Sequence, residues 1–164
     1  MAATLIVASA ALLLAAVASD VALRLVPNWV PALLAAAGIA LRVVSGTLMG
    51  GLIAGAMVFV LALFCWRCGW MGGGDVKLLA AATLTVPPLA AAGLLASVAL
   101  AGGALAALYL LLGAVLPPVR IAPGRIGHGL GRVFRRERWR IARREKVPYA
   151  AAIAAGTLFV LIHR

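Results

Sequence analysis

Acidic side chains are nearly absent from this chain: four in 164 residues, against fifteen lysines and arginines. Cysteine and histidine occur twice each, and charged residues of all kinds make up only 12%. Each shortage excludes something. Cys65 and Cys68 close one apolar run with no other cysteine to pair with, so no disulfide framework is expected. Their C-x-x-C spacing supplies two of the four ligands that tetrahedral zinc needs, and His128 and His163 lie in distant segments. No metal site and no cofactor is expected. The low charge, with 65% hydrophobic residues in long uncharged runs, excludes an ordinary soluble domain. The chain reads as all-α: a polytopic membrane helix bundle with about six transmembrane helices, residues 1–164 forming one domain in the lipid bilayer.

The apolar runs are Ala2 to Ser19, Val30 to Val44, Leu48 to Trp66, Val76 to Leu116, and Tyr149 to Ile162. As a single helix, the fourth run would extend about 62 Å, roughly twice a hydrocarbon core of about 30 Å, so it must fold back. Pro87-Pro88 removes two backbone donors and is the natural break, which brings the number of spans to six. The first run ends in Ala16-Val17-Ala18, like a cleavable signal, but no Lys or Arg precedes Arg24. Without a basic leading region it is expected to be retained as a span.

The formal charge of +11 does not point to nucleic acid, because most of it falls in residues 117–147 between two spans. Basic residues in short loops mark the cytoplasmic side. This loop is therefore expected in the cytoplasm, as a solvated connector near anionic lipid or an interfacial helix. Counting back, the turns after the first and third spans share that side. Asp20 and Asp75, the only two aspartates, occupy those two turns.

An acid at a span boundary is costly unless it faces water or a partner, which makes each aspartate a candidate functional residue and the two together a candidate dyad. In Met71-Gly72-Gly73-Gly74-Asp75-Val76-Lys77, three glycines clear side chains from in front of a carboxylate and let another backbone approach it. The plainer reading makes Asp75 the N-cap of the following helix. The second constellation is Asp20-Val21-Ala22-Leu23-Arg24-Leu25-Val26-Pro27-Asn28. Here the plainer reading pairs Asp20 with Arg24 four residues on, and uses Pro27 and Asn28 to end one helix and cap the next. Lys77 is placed either to snorkel towards headgroups or to bias Asp75 towards ionisation.

D-x-x-x-R-x-V-P-N after the first span, GGGDVKLLAA after the third and VPYAAAIAAG opening the last together resemble the short prepilin peptidases of tight-adherence and related type IV pilus systems. These are membrane aspartic peptidases of the GxGD type. The resemblance implies Asp20 and Asp75 as catalytic, with Gly72 and Gly74 as the motif glycines. It implies as substrate a prepilin whose short basic leader is cut after a glycine at the cytoplasmic face of the inner membrane. Larger relatives carry an insertion with paired C-x-x-C motifs and also methylate the new N-terminus. This chain lacks that insertion, so peptidase activity alone is expected.

Hydrolysis by such a pair requires one ionised carboxylate as general base on water and one protonated carboxyl polarising the scissile carbonyl. Like charges held close resist joint ionisation, so the pair is expected to titrate in two steps. Two other classes compete. Paired acids also mark proton or cation paths in small transporters, and abundant glycine and alanine also suit a non-catalytic assembly subunit.

Overall fold

The computed structural model describes residues 1–23, 25–115 and 148–163. Among these, six α-helices and no strand occur: α1 (Ala2–Leu23), α2 (Trp29–Val44), α3 (Leu48–Arg67), α4 (Gly73–Thr85), α5 (Ala91–Val115) and α6 (Tyr149–Ile162). A single 3-10 turn, Pro88–Ala90, joins α4 to α5. The double proline therefore breaks the long apolar run where the missing backbone donors require it. The basic stretch 117–147, with His128, and the residue Arg24 lie outside the described residues.

Three helices, α1, α3 and the segment from Pro88 to Leu112, are long and apolar enough to cross a membrane. Their side chains face mostly outward, and large apolar groups such as Ile53, Met57, Phe64, Leu100 and Leu110 are exposed. Apolar surface on this scale is suited to hydrocarbon. The chain is a membrane protein.

The shortest helix, α4, is the most enclosed. Its 13 residues extend about 20 Å, less than a bilayer core. It packs against α2, α3 and α6, burying Val76, Leu78, Leu79, Ala81 and Ala82. Buried Thr83 and Thr85 donate to backbone carbonyls of their own helix, Leu79 O (2.9 Å) and Ala82 O (2.7 Å), so neither hydroxyl is left unsatisfied.

Close approach depends on missing side chains. A Cβ on Gly38 of α2 would stand 2.6 Å from Leu84 Cβ, and one on Gly55 of α3 would stand 2.9 Å from Leu84 Cδ2. Leu84 of α4 thus fills a notch that the two glycines create, which is the small-residue packing expected between membrane helices. At the same end of α4, buried Arg42 donates to Thr85 O (3.4 Å) and to Thr47 Oγ1 (3.3 Å). This cation lies at the C-terminal ends of α2 and α4, where helix dipoles favour positive charge.

Candidate functional site

The opposite end of α4 begins at Gly72, and the turn leading to it depends on Gly69. With φ at +75°, Gly69 sits in the left-handed region as α3 ends. The N–H groups of Gly69 and Trp70 then close the last turn onto Trp66 O (2.9 Å) and Cys65 O (3.0 Å). The chain reverses and presents Gly72-Gly73-Gly74-Asp75 at the end of the bundle. Gly72 holds the N-cap position with extended backbone, and its carbonyl accepts from the N–H groups of Asp75 (3.1 Å) and Val76 (3.2 Å). The N-cap reading of Asp75 is therefore wrong. Its carboxylate belongs to the first turn and reaches back to accept from the backbone N–H of Gly72.

Asp20 lies inside α1 rather than beyond its end, because the helix continues to Leu23. It is only 8% exposed. Its Oδ2 accepts the Ala150 N–H at 3.2 Å. That N–H is one of the first-turn donors of α6 that no helical carbonyl can reach, and the helix dipole there favours an anion. The intrahelical pair of Asp20 with Arg24 falls on a residue outside the described set.

Asp20 and Asp75 line one cavity of about 360 Å³ with Leu25, Val26, Asn28 and the three glycines. The two carboxylates lie within electrostatic reach of each other. Asn28 occupies the cap position of α2, but its side chain does not cap; its Oδ1 accepts from Lys77 Nζ at 3.0 Å. The turn is closed instead by backbone, with Val30 N–H donating to Pro27 O (3.0 Å). Thus Gly72, Gly73, Gly74, Asn28 and both aspartates meet in one place, with Lys77 attached through Asn28. Cys65 is half-buried, Cys68 is exposed, and both are free thiols.

Sequence reasoning missed two contributors. The Ala150 N–H is invisible to a search for chemical side chains, although Pro148 immediately before α6 signals a helix start with free donors. Tyr149, half-buried, lies within electrostatic reach of Asp75 and Cys65. Its ring packs over Gly102 of α5, 3.3 Å from where a Cβ would stand.

Two acids and a glycine turn thus border one cavity at the end of a membrane helix bundle. Residues 7–116 match the type IV leader peptidase family, and the chain belongs to that family. The matched segment contains Asp20, the three glycines and Asp75, and ends before α6. No curated protein and no solved structure matches the chain. The protein is a peptidase of the membrane.

Proposed function

We propose that this peptidase is an aspartic endopeptidase that removes the short basic leader of type IV prepilins, with Asp20 and Asp75 activating water between them. The observation that carries the reading is the shared cavity: two acids 55 positions apart in the chain face one space of about 360 Å³. One carboxylate takes a proton from water while the other, protonated, donates to the scissile carbonyl, and the roles reverse as the amine leaves. No acyl-enzyme forms and no cofactor takes part. The active site faces the cytoplasm of a bacterial inner membrane, on the side set by the arginine-rich segment.

The test is co-expression with a prepilin followed by mass measurement of the pilin N-terminus. A shortened chain beginning just after the leader glycine is the expected product. An uncut leader in the presence of the wild-type protein would overturn the assignment.

Gly72 offers a finer test. A Cβ there would stand 2.9 Å from Asp75 Oδ2, closer than side chains tolerate. The carboxylate is the mobile end of a side chain, so Gly72→Ala is expected to displace it without unfolding the bundle. Displacing a catalytic group by a fraction of an ångström lowers rate on the order of tenfold to 10²-fold. Thermal stability in detergent should stay at the wild-type value while cleavage falls.

A further inference from the structure

A second space of about 460 Å³ runs along the side of the bundle from the dyad end, bounded by α2 and α3 and floored by α4. Both walls pack well against α4 but touch each other little, so the groove between them stays open. Its surface is almost wholly apolar and largely small: Ala32 and Ala35 from α2, Ala56 and Phe59 from α3, Ala80 from α4. One end differs. Asn28 and Lys77 line it there, and Asn28 also lines the cavity holding Asp20 and Asp75, so the two spaces adjoin.

We infer that this groove is the docking track for the apolar helix of the substrate that follows the scissile bond, with Lys77 meeting a carboxylate in that helix's first turn. The inference rests on the proposed peptidase reading and adds where the substrate lies. Continuity with the dyad cavity fixes the direction: a chain cut between the two acids passes Asn28 and enters the groove. Alanine walls let a helix backbone come close, as membrane helix pairs require. From Lys77 to Leu84 the floor extends about 10 Å, or two helical turns. Charge complementarity selects the occupant. Lys77 Nζ donates to the neutral Asn28 Oδ1 and has no ion pair among the described residues, so a bare acyl chain would leave the ammonium unanswered, whereas an acidic residue on the substrate would answer it.

The test uses the full chain in lipid vesicles. Ala56 is exposed on the groove wall, and Met57 beside it is 69% exposed on the same helix without lining the groove. Ala56→Trp is expected to slow cleavage of a full-length prepilin by about tenfold or more, because binding energy from the remote helix is lost. Cleavage of a soluble peptide ending before the apolar segment should be unchanged, and Met57→Trp should alter neither reaction. Equal slowing of both substrates, or of neither, overturns the groove. A second measurement does not depend on turnover. A photoreactive phenylalanine analogue replacing Ala56, in the Asp75→Asn background, should give an adduct with the prepilin. An adduct only with lipid or only with a second copy of this chain overturns the inference. Adduct formation without any cleavage by the wild-type chain would sustain the groove and remove the peptidase reading instead.

Discussion

Asp20→Asn and Asp75→Asn should each abolish leader removal, lowering the rate by about 10²–10⁴-fold or more, because each change deletes a proton-transfer group from the reacting centre. Asparagine preserves shape. At position 20 its amide oxygen still accepts the Ala150 N–H, so α6 remains seated, and the loss is chemical rather than structural. Asp20→Ala separates the two contributions. It leaves the N–H of fully buried Ala150 without its acceptor and should cost about 1–3 kcal/mol of stability in addition. The double asparagine variant should be no slower than either single one, since two groups that act as a unit are not additive. Quantitative mass measurement of processed and unprocessed pilin reads all four variants. Processing at the wild-type rate by either single asparagine variant would end the dyad mechanism.

The largest structural effect is expected at Gly38. A Cβ there meets Leu84 Cβ at 2.6 Å and the Leu84 carbonyl carbon at 2.9 Å, so the obstacle includes backbone and cannot rotate away. Gly38→Ala must push α2 from α4, at about 1–3 kcal/mol or more for overpacking a well-filled contact. Because α4 also carries Asp75, cleavage should fall along with thermal stability in detergent. Gly93 of α5 is the control, with nothing within 4 Å of a built Cβ. Gly93→Ala should leave stability unchanged or raise it by up to about 1 kcal/mol through helix propensity. A Gly38→Ala protein that melts with the wild type would show that the helices adjust without strain.

These two predictions differ in how far the sequence alone could reach. That Asp20 and Asp75 are candidates to be considered together was legible because acids are so rare in a 65% hydrophobic chain, and the fold brings both to one cavity. Membrane immersion makes each of them costly, and basic-residue bias leads one to expect both turns on one side. The importance of Gly38 was not legible. It is one glycine among 18, and nothing in its neighbours' identity says that Leu84, 46 positions later, presses on it.

The run boundaries were read closely, but their use was not. The apolar run starts at Val76, whereas α4 begins at Gly73 and draws Asp75 into its first turn. Asn28 holds the cap position of α2, as its place after Pro27 suggests, but its side chain accepts from Lys77, 49 positions away, instead of capping. The start of α4 is set locally, by the Gly72 carbonyl that accepts from Asp75 and Val76, whereas the partner of Asn28 is supplied only by folding.

By itself, then, the order of residues determined the medium, the helical class, the break at Pro87-Pro88 and the identity of the two acids. Each follows from local chemistry: transfer of apolar side chains into hydrocarbon, the missing N–H of proline, and the penalty for charge near lipid. Only the tertiary structure decided that the α6 N-terminus holds Asp20, that α4 lies enclosed between α2, α3 and α6, and that an open apolar groove leads away from the site. Those features depend on which helix faces meet and how closely. In a bundle where glycine and alanine recur on many faces, that choice is made by the joint fit of side chains distant in sequence, which no single segment encodes.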